Sequence, residues 1–294
     1  MSIVYLSDAP VGALPPGVVQ AAGRGFLSGL KLRRQSPETA ICASPAQQSS
    51  GPWPQIGMCA SPEDAYRYRL GTHLVTGTRA CASQLAAKGR TVICLPMPLA
   101  DIATPLPVAP PHLLVAAPFT RASCLDLVLK AVAGIADLTI TLAGQGASKG
   151  DLEELAQRLG VRSKFTKFAT ADDYRAATLM LHPVRSDWEG SAIRAAHAAA
   201  RPLIATATEA ARELITPNET GLMIPIADVE ALAHSIRLLI EDRHLAESLA
   251  RAGHEFHQRD FSQQLLNPRW QRYLGEIIKP PPAAPKERFN VRKV

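Results

Sequence analysis

The segment SDWEGSAIRAAHAAARPLIA, residues 186–205, has a pattern that indicates the class of the fold. An acidic residue and a glycine open it, small residues fill its middle, and a proline precedes the apolar run LIA. This order predicts a loop, then a helix, then a buried strand. A helix that leads directly into a buried strand is typical of α/β proteins with parallel sheets.

The same alternation of short apolar runs and helical stretches extends over most of the 294 residues. The predicted strands are SIVYLS, ETAICA, THLVTG, TVICLP, HLLVAAP, DLTITLAG, SKFTKF, TLMLHP and PLIATA. The predicted helices between them are 15–30, 62–69, 79–88, 122–135, 150–159, 171–177 and 189–200. Because such strands form parallel sheets covered on both faces, the sequence predicts two Rossmann-like domains facing a cleft. Ligands bind outside the carboxyl ends of the strands in such sheets.

A proline-rich stretch at 95–111 separates the two series of strands and marks the predicted domain boundary. We predict a first Rossmann-like domain with its linker at 1–104 and a second at 105–258. A final helix is expected at 259–278. The tail at 279–294 is Pro-rich and basic, which predicts an extended segment.

Composition excludes several classes of protein. An apolar content of 47% is enough for folded cores, and 5% aromatic residues argue against a stacking platform for single-stranded nucleic acid. The five cysteines show no CxxC spacing, which indicates a reducing compartment. His254 and His257 have no Cys or acidic cluster to complete a metal site, so we expect no metal. Residues 1–23 lack the basic start of a secretory signal, which predicts a cytoplasmic protein.

The net charge of +6 is unevenly distributed. Residues 1–100 hold nine Lys/Arg and four Asp/Glu, giving +5, and residues 279–294 hold five and one, giving +4. The intervening segment is therefore −3. A basic first domain suggests an anionic partner, either a membrane surface or a glycan, and the alternative is that the charge serves solubility only. The first case implies a peripheral position at the inner face of a membrane.

Four segments between about residue 70 and 277 stand in a characteristic order: LTITLAGQG, LHPVRSDWEG, RPLIATATEAARELITPNETGLMIP and DFSQQLLNPRWQRYLGEI. In this order they resemble the family 4 glycosyltransferases, which have the GT-B fold. LTITLAGQG resembles the strand and glycine turn that face the nucleotide, and LHPVRSDWEG resembles the strand and loop before the donor helix. RPLIATATEAARELITPNETGLMIP resembles the segment that closes over the donor sugar, and DFSQQLLNPRWQRYLGEI the closing helix that crosses back to the first domain. Residues 70–100 resemble only the last third of a typical first domain, which implies a shortened one.

The resemblance implies a hexosyltransferase that moves a sugar from a nucleotide sugar to a glycan or lipid-linked acceptor, in polysaccharide or lipopolysaccharide biosynthesis. It also implies a retaining, metal-independent reaction with no cofactor other than the donor substrate. Departures from the family motif leave two alternatives open. One is a catalytically inactive GT-B partner or scaffold, for instance for an active transferase. The other is a sugar-nucleotide epimerase on the same architecture.

The first departure concerns the cations that would stabilise the departing diphosphate. The family places an Arg, and five residues later a Lys, after the first strand of the second domain, where this chain has Pro118 and Ser123. Arg121 lies between them and is the only Lys or Arg between Arg90 and Lys130. It is the candidate phosphate-binding residue. The alternative is a solvated arginine at a helix start.

The second departure concerns the donor-sugar motif. Glu189 and Gly190 match the family's Glu-Gly at the start of the donor helix, but the second Glu, eight positions later, is His197. Counted back from Pro202, the same position is Ala195, so the carboxylate is absent in either case. The resemblance implies that Glu189 contacts the donor sugar. A neutral His197 could accept one hydrogen bond from a hydroxyl group of the ribose. The alternatives are that Glu189 only stabilises the helix N-terminus and that His197 has no ligand.

The third departure concerns the glycine-rich loops of the donor site. Gly144 and Gly146 are candidates either for a wall of the nucleotide site or for a tight turn. Two further glycines of the family are replaced by Glu209 and Ala210. A Cβ at these positions narrows the approach to the sugar, and a carboxylate repels a diphosphate. Glu213 keeps the acidic position that follows, so the resemblance implies that it contacts the donor. No catalytic residue is assigned.

The basic residues of the first domain generate a prediction for membrane binding. Lys31, Arg33, Arg34, Arg67 and Arg69 are expected on one face. Binding to anionic vesicles, measured by sedimentation, should therefore fall steeply as salt is added, because surface charges are screened. Equal binding to neutral and anionic vesicles would contradict a basic docking face.

Overall fold

A computed structural model describes residues 3–6, 18–21, 39–42, 55–59, 61–63, 66–68, 72–108 and 110–278. The described strands form two six-stranded sheets, and every strand pair in them is parallel. The change from the first sheet to the second falls between Cys94 and His112. Two parallel α/β units are the architecture that the alternating sequence predicts.

The first sheet is formed by strands from the first third of the chain. Its strands are β1 (Ile3–Leu6), β2 (Val18–Ala21), β3 (Thr39–Cys42), β4 (Gln55–Cys59), β5 (His73–Thr76) and β6 (Val92–Cys94). Their order is β2-β1-β3-β4-β5-β6. Helix α1 (Arg79–Ala87) connects β5 to β6 and begins at the carboxyl end of β5. The start of α1 therefore lies at the edge where a parallel sheet presents its ligand-binding loops.

The second sheet has the strand order of a doubly wound dinucleotide-binding domain. Its strands are β7 (His112–Ala116), β8 (Thr139–Ala143), β9 (Arg162–Thr166), β10 (Leu179–His182), β11 (Leu203–Thr206) and β12 (Leu222–Ile224). The helices between them are α2 (Leu125–Val132), α3 (Lys149–Arg158), α4 (Ala171–Ala176), α5 (Ser191–Ala198) and α6 (Glu209–Leu214). The strand order is β9-β8-β7-β10-β11-β12. Successive strands are added on one side of β7 up to β9 and on its other side from β10 onward, so the order reverses between β7 and β10. In such sheets the crevice at the reversal is the usual ligand site.

The last helices join the two units. They are α7 (Val229–Glu241), α8 (Arg243–Asp260) and α9 (Gln263–Ile278). The apolar face of α9, with Leu266, Trp270 and Leu274, packs into a core with Ile56 and Val75 of the first sheet. The indole Nε1 of Trp270 also donates a hydrogen bond of 2.9 Å to the carbonyl oxygen of Pro96. The final helix therefore crosses back from the second unit and covers the first sheet.

Two strands of the first sheet differ from the sequence prediction. Residues 18–21 form β2, whereas we predicted a helix over 15–30; the rest of that range lies outside the described residues. The adjacent β-branched residues Val18 and Val19 follow two prolines and favour a strand beside β1. Strand β4 was not predicted, and the described part of 62–69 contains turns and a single 3-10 residue rather than an α-helix.

The predicted basic face lies mostly outside the described residues. Of its five members only Arg67 is described, and its side chain is exposed. None of the helices in the described part of the chain combines the length and the apolar composition that crossing a membrane requires. The vesicle-binding hypothesis stays a prediction.

Two buried histidines occupy the packing layer on one side of the second sheet. His197 on α5 is 1% exposed, its Nε2 lies 3.1 Å from the Thr220 carbonyl oxygen, and its ring contacts Phe256 edge-on. His257 on α8 is also 1% exposed. Burial lowers the pKa of each to about 4, because the charged imidazolium loses its hydration. Both rings are therefore neutral at pH 7 in the folded chain.

These pKa values generate a prediction for stability below neutral pH. The unfolded chain binds protons at these histidines below about pH 6.5, whereas the folded chain does not until about pH 4. Stability should therefore fall as the pH decreases through this window, by up to about 2 kcal/mol per histidine between pH 7 and 5. We expect urea unfolding to show this loss.

A single substitution isolates the contribution of one histidine. His197→Gln keeps a donor for the Thr220 carbonyl oxygen but does not titrate, so the decrease between pH 7 and 5 should become smaller by about 2 kcal/mol. A variant with the same pH dependence as the wild type would show that His197 does not resist protonation in the folded chain.

Candidate functional site

The candidate site lies where the strand order of the second sheet reverses, at the carboxyl ends of β7 and β10. The loop after β7 spans residues 117–124, and the loop after β10 spans 183–190. The backbone N–H of Arg185 donates a 2.8 Å hydrogen bond to the carbonyl oxygen of Ala122, which ties the two loops together. These loops are the ones that a doubly wound sheet presents to a ligand.

The loop after β10 is organised by the carboxylate of Asp187. Its Oδ2 lies 2.8 Å from Nε2 of His182, and its Oδ1 accepts from the N–H groups of Glu189 and Gly190 at 2.9 and 3.0 Å. Burial alone would raise the pKa of Asp187. The interaction with His182, together with the two amides, outweighs burial and holds the pKa of Asp187 below its usual value. Asp187 is therefore an ionised residue that fixes the backbone at Glu189 and Gly190.

Glu189 lies directly before helix α5, where the sequence placed it. Its Oε2 accepts from the N–H of Ser191 at 2.9 Å, and its Oε1 accepts from Nη2 of Arg194 at 2.7 Å. Gly190 is the N-cap of α5 with φ 70°, and a Cβ there would lie 2.2 Å from Cδ1 of Leu214. Gly190 is thus required by backbone conformation and packing, and the carboxylate of Glu189 is already engaged within the chain.

Arg194 connects this loop to the segment that follows the first sheet. Its side chain is 2% exposed, and its Nη1 donates to the Met97 carbonyl oxygen at 3.0 Å. The first unit also approaches Glu189 directly, since a Cβ on Gly77 would lie 2.6 Å from the Glu189 carbonyl oxygen. Glu189 therefore lies at the junction of the two units rather than on an outer surface. A contact with a donor sugar stays a prediction.

Glu213 also lies at this junction. Its Oε1 accepts from the backbone N–H of Arg79 at 3.0 Å, and its Oε2 accepts from that of Ala80 at 2.9 Å. Nε of Arg79 donates to the same carboxylate at 3.2 Å. The carboxylate thus binds the first turn of α1, which belongs to the other unit.

The two glycines after β8 allow close packing of backbone against backbone. A Cβ on Gly144 would lie 2.0 Å from the Ala117 carbonyl oxygen, and one on Gly146 would lie 2.2 Å from that of Phe119. Gly146 has φ 155°, and the Phe119 N–H donates to the carbonyl oxygen of Gln145 at 2.9 Å. These contacts give the glycines a role in a tight turn against the loop after β7. A role as a nucleotide wall stays a prediction.

The expected contact between His197 and a ribose does not fit the structure. The ring is buried, and its Nε2 is 3.1 Å from the Thr220 carbonyl oxygen, which is its hydrogen-bond partner. Helix α5 turns this position towards α8 because the apolar face of α5 must pack there. The His197 side chain therefore points into the interior.

Arg121 is exposed, and it begins a single 3-10 turn, Arg121–Ser123, directly before α2. Pro118, at the family's Arg position, is exposed. Ser123, at the family's Lys position, is only 3% exposed, so its side chain does not face the solvent. The described part of the chain offers no ion-pair partner to Arg121. Its charge is thus free to meet an anion at the end of β7.

A surface cavity of about 410 Å³ adjoins these loops. Its polar lining residues are Thr120, Arg121, Arg158, Arg185, Asp126, Asp151 and Ser148. Arg158 is paired with Glu154 at 3.2 Å, whereas Arg185 has no ion-pair partner among the described residues. The switch-point loops therefore present two unpaired arginines, one from each loop, to the same cavity.

Sequence reasoning did not single out His182, Asp187, Arg185 or Arg194. Three of them lie at or just after the end of β10. The rule that ligands bind at the carboxyl ends of parallel strands places the loop 183–190 at the site, but it does not select among the side chains of that loop. Arg194 gave no such signal, because it lies inside a helix and its contact with the other unit is to Met97, which is 97 positions away. Within the described residues, no group of three or more His, Cys, Asp or Glu side chains could hold a metal ion.

Comparison with known proteins identifies relatives of the second unit. The model of the family of glycosyl transferases group 1 matches residues 102–256. A lipopolysaccharide core biosynthesis glycosyltransferase of Rhizobium meliloti is 28% identical over 152 residues, which cover 50% of this chain and 45% of that protein. A D-inositol 3-phosphate glycosyltransferase of Salinispora tropica is 29% identical over 153 residues, covering 48% and 30%. The matches thus span less than half of either relative.

Solved structures resemble the chain over both units. HepE of Anabaena, solved with UDP and glucose, has a TM-score of 0.72 at 14% identity, covering 94% of this chain and 99% of that one. A sucrose-phosphate synthase of Thermosynechococcus elongatus has a TM-score of 0.70 at 17% identity, covering 84% and 75%. At these identities the likeness shows the fold alone, and that fold is GT-B.

The buried pair of Arg194 and Glu189 generates a prediction. Arg194→Met removes the cation and leaves the carboxylate partly buried, so the free energy of unfolding should fall by about 3 kcal/mol. The double variant with Glu189→Gln should recover part of this loss, since no unpaired charge remains. Urea unfolding measures both, with Arg212→Met, an exposed arginine on α6, as the control. A loss equal to that of the control would contradict the pairing.

Proposed function

The chain belongs to the family of glycosyl transferases group 1, and we propose that it transfers a hexosyl group from a nucleotide sugar to a glycan or lipid-linked acceptor. One observation carries the proposal. The two loops at the reversal of the second sheet present Arg121 and Arg185 to one cavity, and neither arginine has an ion-pair partner in the described residues.

The chemistry of sugar transfer explains why this observation matters. The bond between the sugar and the diphosphate breaks, so the leaving oxygens gain negative charge in the transition state. Cationic side chains placed beforehand stabilise that charge without reorganisation. Arginine suits the task because its planar guanidinium binds phosphate oxygens in pairs. Arg121 and Arg185 would supply the charge that Pro118 and Ser123 do not.

The finer parts of the proposal rest on the resemblance and on the relatives. With arginines at the diphosphate, the reaction would be metal-independent, and the family resemblance implies retention of configuration. The relative from Rhizobium meliloti is named for lipopolysaccharide core biosynthesis, which supports a glycan or lipid-linked acceptor. HepE was solved with UDP, which supports UDP as the first nucleotide to test.

A second candidate is a non-catalytic partner that keeps the fold as an interaction surface. The observation that favours it is the engagement of both motif carboxylates within the chain, Glu189 with Arg194 and Glu213 with the start of α1. Neither carboxylate is free to contact a donor in this arrangement. Nucleotide binding separates the two candidates.

The test measures UDP binding by calorimetry and by thermal unfolding. We expect weak binding that depends on Arg121, so that Arg121→Ala weakens UDP by about 1.5–3 kcal/mol, the usual worth of a hydrogen bond to a charged group. Uridine, which lacks phosphates, should be hardly affected. Arg185→Ala should act in the same direction.

Arg162→Ala is the matched control, because Arg162 is an exposed arginine at the start of β9, at the opposite end of the sheet. Release of UDP from UDP-sugars in the presence of glycan acceptors then tests transfer itself. If UDP does not stabilise the wild-type chain, or if Arg121→Ala matches the control, the phosphate role is wrong and the non-catalytic candidate is favoured.

A further inference from the structure

The N-terminus of helix α1 is completed by a residue from the other unit of the protein. The first N–H groups of any helix lack acceptors within the helix. In α1, Thr78 accepts from the N–H of Cys81 at 3.2 Å, which satisfies one of them. The N–H groups of Arg79 and Ala80 both donate to the carboxylate of Glu213. Glu213 lies 134 residues after Arg79 in the chain.

The Glu213 contact is electrostatically favourable for several reasons. Both carboxylate oxygens accept from backbone donors, and a negative charge at a helix N-terminus interacts favourably with the helix dipole. The Glu213 side chain is only 15% exposed, so solvent screens the interaction little. Arg79, whose side chain is 82% exposed, adds a third donor to the same carboxylate.

Three further contacts bring the same parts of the chain together. Oγ1 of Thr78 donates to the carbonyl oxygen of Trp188, and Gly77 packs against the backbone of Glu189. Arg194 donates to the carbonyl oxygen of Met97, in the segment after the first sheet. All of these contacts join residues of the chain to one another, without a ligand.

We propose that Glu213 is an interdomain latch, a positioning residue whose carboxylate holds the start of α1 and thereby fixes the orientation of the two units before any ligand binds. This role differs from the donor contact that the family resemblance implies for Glu213. It predicts a cleft that is set by the protein itself and does not need a nucleotide to close it. The proposal stands whichever ligand the site takes.

The test is hydrogen–deuterium exchange of the full chain, followed by mass spectrometry, with no nucleotide present. Glu213→Ala should raise amide exchange at least tenfold in residues 77–82, because two N–H groups lose their acceptor. If Glu213 is a latch, exchange should also rise in residues 95–99 and 186–190, which form the other contacts of the junction. Small-angle scattering should show a larger radius of gyration.

Two further variants make the result decisive. Glu213→Gln keeps the shape and one acceptor oxygen, so it should give a smaller increase over the same three segments, even if the alanine variant folds poorly. Asp228→Ala removes a carboxylate cap of α7, which accepts from the N–H of Ala231 at 2.9 Å within one unit. It should raise exchange only at the start of α7 and leave the radius of gyration unchanged.

The outcomes that overturn the latch are equally specific. If exchange in Glu213→Ala and Glu213→Gln rises only at Arg79 and Ala80, and the radius of gyration stays at the wild-type value, Glu213 is a local cap. Unchanged exchange at those two amides would show that the carboxylate does not bind them. Neither result bears on whether Arg121 binds a diphosphate.

Discussion

The buried guanidinium of Arg194 is the interaction on which the arrangement of the site depends. A cation with 2% exposure is stable only when it is paired and hydrogen-bonded. Glu189 supplies the opposite charge, and the Met97 carbonyl oxygen supplies a second acceptor. Glu189 belongs to the loop after β10, and Met97 belongs to the segment after the first sheet. One buried charge therefore holds this loop and this segment in place. The start of α5, with Gly190 at its N-cap, is held in place as a consequence.

The acidic residues of the motif and the cations of the site have separate roles. Glu189 and Glu213 occupy positions that the family resemblance assigns to the donor, yet their carboxylates bind Arg194 and the first turn of α1. The unpaired positive charge at the reversal of the sheet comes from Arg121 and Arg185 instead. Stabilisation of a leaving diphosphate requires positive charge in the correct place and does not require one particular position in the chain. The fold and its electrostatics can therefore persist while the motif changes.

The accuracy of the sequence prediction follows the strength of the local signal. In the second unit, the strands β7 to β11 were predicted, and most of them, such as β10 (Leu179–His182), are buried apolar runs. The three-residue strand β12 (Leu222–Ile224) was not among the predicted strands. The first unit has weaker signals. Strand β2 is four residues long inside a stretch that also suits a helix, and β4 contains Gly57 and Met58 and has no alternation of polar and apolar residues. Pairing with neighbouring strands decided these two segments, and such pairing cannot be inferred from short runs.

The parallel α/β organisation, the position of Glu189 before a helix and the loss of the family's Arg and Lys can all be read from the amino-acid sequence, because each is a property of residues close in the chain. Which groups come into contact is visible only in the folded protein. His197 turns into the interior because α5 packs against α8, and Glu213 reaches α1 across 134 positions. Periodicity specifies which face of a helix is apolar, but the partner of a polar group depends on elements that only folding brings together.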